Sequence, residues 1–239
     1  MADSLKTIAR EVSICRSCPR LVAWREEAAA HPPRRFAAEA YWAKPVPGFG
    51  DPRARVLVVG LAPAAHGGNR TGRVFTGDSS GDFLFRALHR AGFANQALSV
   101  SRDDGLTLTD CYVAAAVRCA PPDNRPAPVE FARCRPFLVR EIRLFPGLRV
   151  VVALGALAWE ASWRALGEAG YPMPARRPPF GHGAEVVAGN VRLVGSYHVS
   201  RQNTNTGRLT EAMFDVVWKR VRTLLSPPAR RDRGNGTIR

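Results

Sequence analysis

Three short apolar runs, each leading through a loop into a helical pattern, constrain this chain most. Residues 55–61 (RVLVVGL), 112–117 (YVAAAV) and 149–154 (RVVVAL) are apolar almost throughout, as parallel strands buried on both faces are. Pro63 closes the first run, and a glycine-rich loop leads into residues 82–91, where Leu84, Leu88 and Ala91 recur at helical spacing. The second run is followed by a proline-rich stretch, 121–128, and a helical stretch over 129–145 that is interrupted or restarted at Pro136. A helix over 155–166 follows the third run. Residues 184–187 and 190–197 read as a hairpin turning at Ala188 and Gly189. The last helix carries Met213, Val217, Val221 and Leu224 on one stripe. Strands alternating with helices predict an α/β fold: a three-layer α/β/α sandwich around a mainly parallel central sheet. A chain of 239 residues fits this as a single domain over residues 1–226, with residues 227–239 (PPARRDRGNGTIR) as a disordered basic tail. Ligand sites in such folds lie outside the carboxyl ends of the strands, so the loops after Leu61, Val117, Leu154 and Tyr197 are the candidates.

Charge narrows the partner. The formal net charge is +15, and 32 of the 35 basic residues are arginine, Lys6, Lys44 and Lys219 being the only lysines. A preference for arginine over lysine can come from coding bias, but an excess of bases over acids cannot, and it points to a polyanion such as nucleic acid. No apolar run approaches the roughly 18 residues of a membrane span. The opening MADSLKTIAREV lacks the apolar stretch of a secretory signal, so a cytoplasmic protein without disulfides is expected.

The five cysteines are then thiols or ligands. Cys111 begins the second strand, where a small thiol packs well. Cys15 and Cys18 form a C-x2-C pair, and Cys119 and Cys134 lie far downstream. Four thiolates suffice for tetrahedral zinc or for an iron–sulfur cluster, and the spacing leaves that choice open beside four unrelated buried thiols.

Two loops carry the remaining chemistry. Residues 60–84 (GLAPAAHGGNRTGRVFTGDSSGDFL) hold six glycines, Gly60 included, with Arg70, Arg73, Phe75 and Asp78. Neither G-x-G-x-x-G nor G-x-x-x-x-G-K-[ST] is present, which disfavours ATP-dependent chemistry, and Asp78 with Ser79 and Ser80 suits a helix start. Residues 196–210 (SYHVSRQNTNTGRLT) place His198 at a strand end, before side chains able to bond bases and phosphates. A small-phosphate enzyme would want a phosphate-loop lysine, which is missing, and a non-catalytic nucleic-acid-binding protein would not need Asp78 and His198 at one pocket.

Five segments in order, CRSCPRLVAWREE (15–27), PVPGFGDP (45–52), GLAPAAHGGNRTGRVFTGDSSG (60–81), AAAVRCAPPDNRPAP (114–128) and SYHVSRQNTNTGR (196–208), together resemble the uracil-DNA glycosylase superfamily, specifically its family 5, the type b enzymes. The resemblance covers nearly the whole chain to about Leu225. It implies a prokaryotic, nucleoid-associated monomer that removes uracil, and other deaminated bases such as hypoxanthine, from DNA in base excision repair. Double-stranded DNA is the implied partner, with single-stranded DNA as a secondary form. It also implies a structural [4Fe-4S] cluster on Cys15, Cys18, Cys119 and Cys134. Phe75 would stack on the flipped base, with Ala62 and Ala64 beside it, and His198 would hydrogen-bond the base O2. Residues 199–205 would enter the minor groove, and Asn69, Arg70, Arg73, Arg201, Gln202, Asn203 and Arg208 would contact DNA. Many relatives carry an acid in the first motif, where this chain has Leu61 and Ala62, and a base-reading Asn in the second strand, where it has Ala115. Asp78 and Asn124 are the nearest polar substitutes: Asp78 to orient water or stabilise a cationic sugar, Asn124 to contact base or water. Looser specificity is expected.

Overall fold

The computed structural model describes residues 3–226, so the basic tail expected over 227–239 lies outside the described residues. Six strands are formed: β1 (Phe49–Gly50), β2 (Val56–Gly60), β3 (Cys111–Ala115), β4 (Val150–Leu154), β5 (Glu185–Ala188) and β6 (Val191–Ser196). They make one sheet in the order β1-β3-β2-β4-β6-β5. The central four are parallel, while β1 and β5 run antiparallel at the edges. The three apolar runs form β2, β3 and β4, three of the four central strands, each buried at every residue. That is why they lack the alternation of a half-exposed strand.

Alternate side chains of each strand feed opposite layers. Val56, Val58, Val113, Val152 and Val194 pack against α4 (Ser79–Arg90) and α8 (Glu211–Leu225). Leu57, Val59, Ala114, Val151 and Leu193 pack against α5 (Pro128–Arg143) and α6 (Ala156–Ala169), with Leu5 of α1 (Leu5–Ile14) joining them. The α/β/α sandwich is therefore as the apolar pattern requires. Among the described residues no helix is long and apolar enough to cross a membrane.

Two local expectations change. Helix α5 runs unbroken through Pro136. The acceptor orphaned by the missing N–H is the carbonyl of Ala132, which lies on the exposed face, while Cys134, Leu138, Val139 and Ile142 anchor the other face. The stripe of α8 is centred on Phe214, Val217, Trp218 and Val221, with Met213 and Leu224 at its margin. Helix α2 (Pro19–Ala30) starts at the C-x2-C pair, with Cys18 as its N-cap residue and Pro19 in its first turn, where a missing N–H does no harm.

Because β3, β2, β4 and β6 are parallel, the loops that follow them emerge at one edge of the sheet. Two short helices lie in those loops, α3 (Gly68–Thr71) after β2 and α7 (Arg201–Asn205) after β6.

Candidate active site

The loop after β2 is built by close backbone packing. Asp78 caps α4, its Oδ1 accepting from the amides of Ser80 and Gly81 at 3.0 Å each. Gly67 makes room for that carboxylate: a Cβ there would lie 1.9 Å from Asp78 Oδ2. Burial pushes the Asp78 carboxyl above its ordinary value, against the pull of the Gly81 and Ser80 amides. Phe75 adopts φ +52, an unusual backbone for an aromatic residue, and its ring rests on Gly60, where a Cβ would lie 2.5 Å from Cζ.

A buried network fixes the far side of this loop. Arg73 Nε donates to Thr76 Oγ1 at 2.9 Å, and its Nη2 donates to Ser99 Oγ at 3.1 Å and Asp104 Oδ2 at 2.7 Å. Asp104 is half-buried, yet the Arg73 guanidinium and the amides of Leu106, Val100 and Ser101 hold its pKa down at about 2. The Gly77 amide, one residue before Asp78, donates to the Ser99 carbonyl at 2.8 Å.

Asn124 reaches the same cleft from the loop after β3. Asp123 and Asn124 sit at φ +53 and +55, consecutive left-handed residues that turn the chain sharply. The cleft, about 490 Å3, is lined by Asp78, Asn124, Ala64, His66 and Arg201 together with Trp24, Arg35 and Phe36. His198 stands at the end of β6, its ring centroid 6.4 Å from that of Phe75. Burial lowers the His198 pKa to about 4, so the imidazole is neutral at pH 7. Among the described residues its ring nitrogens have no hydrogen-bond partner in the protein, and Asn203 Nδ2 holds its backbone carbonyl at 2.8 Å. His198 and Phe75 pair with each other but do not line the cleft that holds Asp78 and Asn124, so the structure does not bring Asp78 and His198 into one lining. A neutral donor beside an aromatic face suits stabilisation of negative charge on a departing base.

The sequence model of the uracil DNA glycosylase superfamily matches residues 47–222. The chain belongs to that superfamily. It is 50% identical over 225 residues to the type-5 uracil-DNA glycosylase of Mycobacterium tuberculosis, covering 93% of this chain and 82% of that one. It is 52% identical over 214 residues to the type-5 uracil-DNA glycosylase of Thermus thermophilus, covering 89% and 94%. Similarity to the type-4 uracil-DNA glycosylase of Pyrobaculum aerophilum is weaker, 33% over 51% of this chain and 55% of that one. The two type-5 relatives thus match the chain along both loops, not only along the sheet.

The structure divides the other side chains singled out in the sequence. Asn69 is buried, donating to the carbonyls of Arg25 and Ala65, so it braces the loop and presents nothing to DNA. Arg73 is buried in the network above. Arg70 is spent on Glu39, the carbonyls of His66 and Gly77, and the face of Phe36. Ala62 packs against the cysteines, not in the cleft lining. Arg201 and Gln202 are exposed, and Arg208 lies over the Tyr197 ring. Trp24, Arg35, Phe36 and His66 went unremarked in the sequence; the helical run from Pro19 into WREE was the available signal for the first.

Cys18, Cys119 and Cys134 are buried together with Leu21 and Val117, and Cys15 follows α1 at the same corner. All are free thiols, and among the described residues no group of three or more His, Cys, Asp or Glu is placed to hold a single metal ion. Burial pushes Cys119 up to about 12 and Cys134 up to about 11, so these sulfurs ionise only with a cation to take the charge. Cations are at hand: Arg25, 2% exposed, donates from Nη1 to Cys119 Sγ at 3.0 Å, and its Nε is buried without a partner. A buried guanidinium on a sulfur fits an anionic thiolate centre better than a neutral thiol. The donor set therefore fits a thiolate-bound group. Cys111 stands apart, fully buried in β3, its thiol pushed up by burial.

Proposed function

We propose that this chain is a monofunctional glycosylase that flips uracil out of DNA and hydrolyses its N-glycosidic bond, leaving an abasic site for base excision repair. The observation that carries this reading is the meeting of Asp78 and Asn124 in one cleft, with Phe75 and His198 paired outside its lining, in a chain half identical to type-5 uracil-DNA glycosylases. Glycosidic cleavage passes through a cationic sugar and an anionic base, so donors aimed at the departing oxygen contribute most. His198, neutral and desolvated, donates to the base O2 as charge develops there. Asp78 keeps its carboxylate beside the sugar, stabilising the cation or orienting water, and Asn124 holds the base or that water. No lysine lines the cleft, so no amine is placed to form a covalent sugar intermediate.

Other deaminated bases, hypoxanthine among them, are included in this reading. Ala115, buried at the end of β3, offers no side chain to read a uracil edge. Selectivity then falls on extrusion, which takes least energy for a mispaired base. The site of action is the nucleoid of a prokaryotic cell.

Cys15, Cys18, Cys119 and Cys134 would hold a structural [4Fe-4S] cluster, the group to which the family resemblance and the buried Arg25 point. When bound it would supply cross-linking of α2, the loop after β3 and α5, and no catalytic step passes through it. Absorbance near ~400 nm that bleaches on reduction is the expected signature, and zinc alone in anaerobically prepared protein would reject it.

The test of the activity is a duplex oligonucleotide with one deoxyuridine opposite deoxyguanosine. Purified protein should generate an alkali-labile abasic site at that position. Binding without any such site would make the chain a non-catalytic DNA-binding protein.

A further inference from the structure

The superfamily match begins at residue 47, yet one whole wall of the cleft comes from residues before it. Trp24, on α2, is 36% exposed and faces the cleft together with Arg35 and Phe36. A large indole left half open beside a reaction centre, in a cleft with two arginines, is a face waiting for a flat partner. The arginines are free to serve a ligand. Neither Arg35 nor Arg201 has a carboxylate partner among the described residues, whereas Arg70 next to them is tied to Glu39. Arg35 is set over the Phe36 ring, 4.6 Å from its centroid, which fixes its direction without neutralising it. His66 is also held: the Tyr41 hydroxyl engages Nδ1 at 3.0 Å, leaving Nε2 for a ligand. Burial, and then the charges of Arg35 and Arg70, lower the His66 pKa, so it meets a ligand as a neutral donor.

We propose that this wall is a stacking subsite for an unpaired nucleotide on the uracil-bearing strand: Trp24 takes the base face, and Arg35 and Arg201 take the flanking phosphates. It rests on the glycosylase reading and gives it a substrate form, uracil in single-stranded DNA. Stacking on an aromatic side chain is sequence-tolerant, because every base has a π face, and it competes with neighbouring bases for the same surface. In a duplex those neighbours stay stacked, so Trp24 has little to gain. In a single strand the indole replaces a lost neighbour.

The experiment compares the full-length protein with Trp24→Ala, Trp24→Phe and Arg35→Ala on two substrates, a single-stranded oligonucleotide with one deoxyuridine and its duplex. Trp24→Ala should raise KM for the single strand about five- to hundredfold, the range of one base–aromatic stack, and raise the duplex KM by clearly less. Trp24→Phe should recover most of the loss, which a merely structural Trp24 would not allow. Arg35→Ala should lower the slope of log affinity against log salt by about 0.7 on single strands, as loss of one phosphate contact does. Equal effects of Trp24→Ala on both substrates, or a wild-type protein that ignores single strands while cleaving the duplex, would overturn the subsite and leave the glycosylase reading standing. A wild-type protein that cleaves neither would overturn the glycosylase reading itself; the salt slope and tryptophan quenching by an undamaged single strand would still decide the subsite.

Discussion

On one side of α2, Arg25 is buried and lays its guanidinium on Cys119; one residue earlier, Trp24 faces an open cleft. The loop after β3 is divided in the same way, with Cys119 in the cysteine corner and Asn124 in the cleft. The two regions therefore share their scaffolding and differ in water. In the cysteine corner each polar group has a fixed partner or none, and loss of one leaves a buried charge exposed to nothing. In the cleft the side chains are held from behind and left free in front, so their loss changes what is bound and how fast it reacts. Arginine shows the contrast best: Arg25, on Cys119, and Arg118, paired with Glu141, are buried, while Arg35 and Arg201 line the open cleft.

The largest expected effect breaks the comparison if it fails. Cys119→Ser should abolish soluble, cooperatively folding protein, read from yield and a thermal melt. A variant that folds normally and loses only excision would move the cysteines into the reacting machinery. Next, Arg73→Ala leaves the half-buried Asp104 without its cation beside the loop that carries Asp78, and should cost about 1–3 kcal/mol in urea unfolding, as loss of a charged hydrogen-bond partner does. Because Asp104 is depressed to about 2 from an ordinary value near 3.8, its pairing stabilises the fold above pH 4 and is lost as pH falls towards 2. Arg73→Ala should shrink that acid limb, the amides of Leu106, Val100 and Ser101 keeping the remainder; an unchanged limb would show that Arg73 is not its source. A further effect concerns His198. Its pKa is about 4 in the fold against an ordinary 6.5, so below pH 6.5 the unfolded chain takes up a proton first and stability declines towards pH 4. His198→Gln should flatten that decline, and a slope equal to wild type would place the titration elsewhere.

The sheet was legible because β2, β3 and β4 are buried on both faces and leave uninterrupted apolar runs in the sequence. Asp78 and Asn124 were legible as residue types in a resemblance, though the left-handed backbone that aims Asn124 leaves no compositional trace. The arginines were not legible. Arg70 and Arg73 read as DNA contacts because charge shows in a sequence and pairing does not: Glu39 and Asp104 each lie 31 residues from the arginine they neutralise. Trp24 was hidden for a related reason, since α2 is amphipathic only weakly and its cysteines drew the reading. Long-range partners, not local pattern, decided which cations remained for a ligand.

The central claim is that the cleft around Asp78 is where the glycosidic bond breaks. It is tested most directly by single-turnover cleavage of a deoxyuridine duplex with Asp78→Asn, duplex affinity and Tm being measured on the same protein. Asparagine caps a helix as aspartate does, and burial opposes the native carboxylate, so Tm should not fall. The account predicts a rate at least about a hundredfold slower with affinity unchanged. A rate near wild type, in a folded variant that binds the duplex normally, would contradict it.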